Sequence, residues 1–296
     1  MTHRPPSAPS EIPVAPAPTD VSDDAELAAA LAAAAGTVLL EQRARADAGA
    51  FAGDQRALGD AGDAAAQARL STGLAIARPG DAVLSEEARD DHRRLDADRV
   101  WIIDPLDGTR EFSERVEDGR GWRDDFAVHV ALWQRGQGLV AGAVALPARG
   151  RVLRADPGLA TGAASAARTS AADAVLDGRR PLRLAVSRTR PPDIALRLGA
   201  RPDVVLVPMG STGVKVVAIL DGSVDAYVHA GGQYEWDSAA PVAVAMAAGL
   251  VATRLDGSPL AFNQPDPWSP DLLVCHTRLV DHLRRLLAEA GPGARP

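Results

Sequence analysis

Residues 101–112 read WIIDPLDGTREF, an apolar run that ends on two acids with a proline between them. The run begins at DRVWIID, which predicts a buried strand stopping on Asp104. Asp107 follows three residues later, and Pro105 fixes φ and offers no N–H, so the turn joining the two acids is stiff. Such a turn can present both carboxylates together and bring the Leu106 carbonyl to the same side. Gly108 lets the backbone approach closely, and the Thr109 hydroxyl is placed to hold a water.

Strands and helices alternate loosely on either side. A first helix starts near a Ser22 or Asp23 cap, with acids in its first turn. AGAFAGDQRALGDAG reads as a glycine-rich loop, Asp63 to Arg78 as a helix, and AVLSEE as a short strand running into Glu86 and Glu87. FAVHVALWQRGQGLVAGAVALP predicts two strands joined by a turn. LRLAVS and DVVLVPMGST follow as strands, Ser211 caps a helix through Leu220, and VDAYVHAG is a strand. WDSAAPVAVAMAAG is a helix, SPDLLVCH a last strand, and Thr277 to Ala290 a C-terminal helix. The chain thus divides into a Pro/Ala-rich tail (1–21), an α+β half (22–150), a surface-loop region (151–180) and a second α/β half (181–296). The fold class is α/β and layered.

A formal net charge of −7 argues against a general nucleic-acid or anionic-membrane binder. Cys275 is the single cysteine, and its apolar setting marks a packing residue. Ala28 to Leu40 is apolar, but Asp23, Asp24 and Glu26 precede it where a secretion signal carries positive charge. No stretch reaches the roughly 18 apolar residues of a membrane span. A cytoplasmic location is the expectation.

Acids recur at strand ends and helix starts: Glu86, Asp104, Asp107 and Asp237. One such acid is usually a cap or turn former; the case for a site rests on the cluster. Carboxylates are the ligands Mg²⁺ prefers, and two ions about 4 Å apart can clamp both oxygens of an in-line phosphoryl displacement. Phosphatases with an aspartyl nucleophile also end an apolar strand in D-x-D-G-T. Here the nucleophile position is Pro105, which cannot form an aspartyl phosphate.

The D-P-x-D-G-T box at 104–109, with SEE upstream and the W-D-x-A box of EWDSAAP downstream, resembles the inositol monophosphatase superfamily over about residues 23–290. That resemblance implies a layered α/β/α/β/α sandwich of the inositol monophosphatase/fructose-1,6-bisphosphatase type. It also implies a Li⁺-sensitive phosphoric monoester hydrolase using two or three Mg²⁺ ions. By position, Glu86, Asp104 and the Leu106 carbonyl would hold one ion, and Asp104, Asp107 and Asp237 the second. Thr109 would orient the attacking water, and Asp63 would supply an accessory acid, with Asp60 as the competing choice. VLSEE, DPLDGTREF and the lysine of GSTGVK look most like the CysQ-type branch, the 3′-phosphoadenosine 5′-phosphate phosphatases of sulfate assimilation, and in particular its actinobacterial members. The alternative is a sugar phosphatase acting on inositol phosphate or fructose 1,6-bisphosphate.

Substrate contacts follow from the same stretches. Gly210 and Ser211 precede a helix and offer backbone N–H groups to an anion. Lys215, the only lysine in the chain, lies one helical turn on and matches a 5′-phosphate-binding position in the nucleotidase branch. Gly108, Thr109 and Asp237 border the same space. His229 stands where inositol-directed members carry an acid, which fits a phosphorylated nucleotide. Trp101 and Trp236 read as packing residues, and Trp122 as either packing or an adenine contact. The partner is a small phosphate ester, and the resemblance allows a monomer or a homodimer.

Overall fold

The computed structural model describes residues 23–90, 92–116 and 121–291. The segment 1–21, read as a tail, lies outside the described residues, as does Ser22.

Helix α1 (Asp24–Asp47) is capped by Asp23, whose carboxylate accepts the Ala25 N–H at 2.8 Å. Helix α2 (Gln55–Ala77) is capped by Asp54 and starts well before Asp63, so the second half of the stretch expected as a glycine-rich loop is helical. Glycine lowers helix propensity by about 1 kcal/mol relative to alanine, but here it permits contact. A Cβ on Gly62 would lie 2.6 Å from the Phe112 ring.

The first sheet has the order β1 (Ala82–Ser85), β2 (Arg99–Asp107), β3 (Ala127–Gln134), β4 (Gly138–Leu146), β5 (Arg151–Arg154), with only β1 and β2 parallel. Between β2 and β3 lies the short helix α3 (Thr109–Ser113). Strand alternation sorts side chains to two faces. Trp101 and Ile103 pack on α1 and α2. Val100 and Ile102 face the other way, toward the centre of the molecule.

Residues 151–180, expected as surface loop, instead hold β5 and helix α4 (Gly162–Leu176). The segment is alanine-rich, so its helical stripe is thin: Ala172 and Val175 face the core. Arg168, buried within it, donates to the Leu159 and Ala248 carbonyls at 2.7 and 3.2 Å.

The remaining elements are β6 (Leu182–Ser187), α5 (Asp193–Gly199), β7 (Val204–Met209), α6 (Thr212–Leu220), β8 (Ala226–Tyr234), α7 (Glu235–Ala247), β9 (Leu250–Thr253), β10 (Trp268–His276) and α8 (Val280–Ala290). The second sheet runs β7-β6-β8-β10-β9. Helices α6 and α7 lie between the sheets, in one apolar cluster with Ile102, Val144, Tyr227 and Val274. Helices α4, α5 and α8 cover the far face of the second sheet. The order of layers is α/β/α/β/α, as the resemblance implies.

Gly62→Val would drive a branched side chain into the Phe112 ring and disturb the packing of α2 on α3. Overpacking of this kind costs about 1–3 kcal/mol. The urea midpoint should fall accordingly, whereas an unchanged midpoint would show that the α2–α3 contact is slack.

Candidate active site

Strand β2 does not stop at Asp104; it continues through Pro105 to Asp107. Residues three apart on a regular strand face opposite sides of the sheet. The β2–β3 register shifts between Asp104 and Asp107: Asp104 pairs with His129 and Asp107 with Ala127. The bulge adds a residue, re-aims the chain and lets both acids reach the same side. Proline has no N–H to give to the ladder, so a bulge is where it belongs in a strand. Gly108 follows at φ +92, where a side chain would be strained and would crowd the Asp125 carbonyl.

Asp237 arrives from the first turn of α7, with its Oδ2 accepting the Tyr234 N–H at 2.6 Å. Ligand-capable oxygens of Asp104, Asp107 and Asp237 all lie within 4.8 Å of one another. Glu86, just past β1, joins them on the wall of a cavity of about 570 Å³, which Leu106, Gly108, Thr109, Gly210, Ser211 and Lys215 also line.

This crowding shows in the acidities. Burial, then Asp107, Glu86 and Asp237, push the fully buried Asp104 well above the usual carboxylate range. Asp237 is pushed up to about 8 by burial and then by Asp107. Glu86, on the cavity rim, is raised to about 7 by loss of water, then by Asp63, Asp107 and Glu87. Asp104 Oδ1 accepts the Leu106 N–H at 3.0 Å, but its Oδ2 is buried without a partner. An orphaned buried carboxylate oxygen among other carboxylates fits a divalent cation, and an all-oxygen donor set fits a hard one.

Asp63, on α2, does not line this cavity but lies near Thr109, and burial, then Glu87 and Asp60, lift it to about 7. Thr109 Oγ1 is also 3.2 Å from the Leu106 carbonyl. Asp60 points elsewhere: it is exposed and faces Arg56 across 3.9 Å. Of the two competing acids, Asp63 is the one the structure brings to Thr109.

The start of α6 differs from expectation. Its amides already serve the protein's own carboxylates: Thr212 N and Gly213 N donate to Asp107 Oδ2 at 2.5 and 3.2 Å, and Ser211 Oγ does so at 2.6 Å. Gly210 N donates to Asp125 Oδ2 at 2.7 Å. These four donors are committed to Asp107 and Asp125, so the anion site expected at Gly210 and Ser211 is filled from within. Lys215 lines the cavity, yet its ammonium donates to the Gly210 and Ser211 carbonyls at 3.1 and 2.8 Å. His229 is not brought to the cavity wall; its Nε2 is 2.9 Å from the Gly232 carbonyl.

Trp122 packs beside Arg43 and Arg115 with its Nε1 toward Asp47, so packing is the reading that holds. Trp101 is fully buried, and Trp236 stacks on Tyr234 with ring centroids 4.6 Å apart. Cys275 is buried, and its thiol is pushed up to about 12 by burial. Sequence reasoning missed Arg110 and Arg190. Both line the cavity, both are exposed, and neither guanidinium has an acid partner among the described residues. Arg110 was legible as the exposed position after Thr109; nothing in the sequence singles out Arg190.

The acid-lined cavity has the donor set of a candidate divalent-cation site. The family described as "Inositol monophosphatase family" matches residues 20–288. The chain belongs to that family. A Mycobacterium leprae protein named 3′-phosphoadenosine 5′-phosphate phosphatase is 52% identical over 90% of this chain and 94% of its own. Escherichia coli 3′(2′),5′-bisphosphate nucleotidase CysQ is 32% identical over 68% of this chain and 78% of its own. Among solved structures, Mycobacterium tuberculosis SuhB shares the fold at a TM-score of 0.63 and 24% identity, covering 90% of this chain and 96% of that one. No helix of the described residues is long and apolar enough to cross a membrane.

The raised acidities have a thermodynamic consequence. Folded-state values near 7 to 8 for Asp63, Glu86 and Asp237 exceed the ordinary values near 4, so the folded protein binds these protons more tightly than the unfolded chain. The stability they contribute is present below about pH 4 and is lost as pH rises through 7 to 8. The melting temperature of chelator-treated protein should therefore fall between pH 5 and pH 8. Mg²⁺ should raise it more at pH 8 than at pH 5; a Mg²⁺ effect independent of pH would contradict the cluster.

Proposed function

We propose that this protein is a Mg²⁺-dependent phosphatase that removes the 3′-phosphate of 3′-phosphoadenosine 5′-phosphate, giving AMP and phosphate and clearing a by-product of sulfate assimilation. The observation that carries the reading is the convergence of Asp104, Asp107 and Asp237 beside a cavity with a cationic mouth. Identity of 52% to a protein named for that activity supports the substrate.

Glu86, Asp104 and the Leu106 carbonyl would hold one Mg²⁺, and Asp104, Asp107 and Asp237 a second. Bound there, the ions would lower the pKa of water and neutralise charge on the phosphoryl oxygens. Thr109 would orient the attacking water, and Asp63, behind Thr109 and raised to about 7 by burial, would receive that water's proton through the Thr109 hydroxyl. The water oxygen bonds to phosphorus as the bond to the 3′ oxygen breaks; that oxygen takes a proton from solvent water and leaves as the 3′ hydroxyl, and Asp63 returns its proton to solvent. Lys215 pins the loop at 210–211 and carries a positive charge at the cavity wall. Arg110 and Arg190 leave two charged forks for a second phosphate, which an inositol monophosphate would not use.

Comparison of kcat/KM for 3′-phosphoadenosine 5′-phosphate, 3′-AMP, inositol 1-phosphate and fructose 1,6-bisphosphate tests this directly. The bisphosphorylated nucleotide should be preferred, and a clear preference for either sugar would overturn the assignment. Asp107→Asn should lower kcat by more than the roughly 10–100-fold typical of outer-sphere partners. Retained turnover would refute the role of Asp107.

A further inference from the structure

Arg188 is the first residue after β6, and its backbone N–H donates to the Met209 carbonyl at the end of β7, 3.1 Å away. Two residues on, the Arg190 N–H donates to Ser187 Oγ at 3.2 Å, tying both ends of the turn 187–190 together. The Arg188 guanidinium reaches across to α3. Its Nε and Nη2 donate to Glu111 Oε1 at 3.1 and 2.8 Å, and Nη2 also donates to Glu114. Glu111 is buried and pinned: a Cβ on Gly210 would meet its Cγ at 2.4 Å. Arg123 continues the network, with Nε 3.8 Å from Glu114 Oε2 and Nη2 2.7 Å from Asp125, the acid that accepts the Gly210 N–H. Three cavity-lining segments, 109–111, 187–190 and 210–212, are thus joined through one set of charged groups.

The arginines on either side of this bridge differ from Arg188. Arg110 precedes Glu111, and Arg190 follows Arg188 by two residues. Both are exposed on the cavity wall and have no acid partner among the described residues. Like charges repel, so these two guanidiniums do not hold each other. Their separation is set by the ion pair between their chain neighbours, Glu111 and Arg188. An arginine fork on carboxylates is directional, so the pair fixes a position and not merely an attraction. Partly exposed ion pairs contribute little to stability. With the Arg188 side chain 25% exposed, placement is what this pair supplies.

We infer that Arg188 is a positioning residue for substrate choice: by bridging Glu111 and Glu114 it fixes Arg190 relative to Arg110, so that both free guanidiniums reach a second phosphate on one substrate. The inference rests on the bisphosphate reading of the cavity. Arg188 itself does not line the cavity, and its charge is matched by the two acids, so it acts through its neighbour.

A cycle of variants tests it, read as the ratio of kcat/KM for 3′-phosphoadenosine 5′-phosphate to that for 3′-AMP, which lacks the second phosphate. Arg188→Lys keeps the charge but not the fork. The ratio should fall about 10–100-fold, the contribution of one charge-assisted hydrogen bond, through a higher KM for the bisphosphate with kcat retained. Arg190→Ala should lower the ratio at least as far, and adding Arg188→Lys to it should lower the ratio no further. An unchanged ratio in Arg188→Lys or in Arg190→Ala, an equal loss on both substrates, or additive losses in the double variant would overturn the inference. Should Arg188→Lys fail to fold, Glu114→Ala, which removes the more exposed end of the same bridge, is held to the same outcomes. Its lost negative charge would by itself favour the bisphosphate, so a fall in the ratio there reports position. Wild-type protein without preference for the bisphosphate would overturn the substrate reading and this inference together. A wild-type preference that Arg188→Lys leaves intact would overturn this inference alone.

Discussion

Like charges gathered away from water are the constraint on which the rest of this structure depends. Asp104, Asp107 and Asp237 come from two different elements, and their oxygens lie within 4.8 Å of one another. Such a cluster opposes folding unless protons or a cation neutralise it. The scaffold that holds it must therefore be rigid. The five-layer core supplies that rigidity, with both sheets packed on α6 and α7.

Much of the scaffold near the site is a seam of polar bridges between the two sheet layers. Asp107 from the first sheet receives the first turn of α6, and Asp125 receives Gly210 N. Arg188, after β6, pairs with Glu111 and Glu114 around α3. Buried Arg94 bonds Asn263 and the Gln264 carbonyl, while Glu235 accepts both of those backbone N–H groups. All but the Arg94 bridge end within a few residues of a cavity-lining group. Charge-assisted bonds of this kind have strict geometry, so they place side chains more narrowly than apolar contact alone.

The two signature stretches made the site legible because its chemistry needs particular residue types at particular spacings. Asp104, Pro105 and Asp107 announced a rigid pair of acids, and the α/β layering followed from alternating strands and helices. What stayed hidden depends on partners distant in the chain. Strand β2 runs through Pro105 because a bulge against β3 absorbs it, and only the register reveals that. The amides near Ser211 read as free donors until Asp107, more than a hundred residues away, is seen to occupy them. Helix α4 was invisible because alanine and serine carry little amphipathic signal. Gly62 reads as a loop former in isolation, and as a contact residue once Phe112 lies against it.

The account turns on where cations sit. Anomalous diffraction from Mn²⁺-soaked crystals tests it most directly. It predicts a peak bounded by Asp104, Asp107 and Asp237, with Asp107 contributing Oδ1 and its Oδ2 still held by Ser211, Thr212 and Gly213. No peak among these carboxylates at saturating Mn²⁺, or Oδ2 released from α6 to bind the ion, would contradict it.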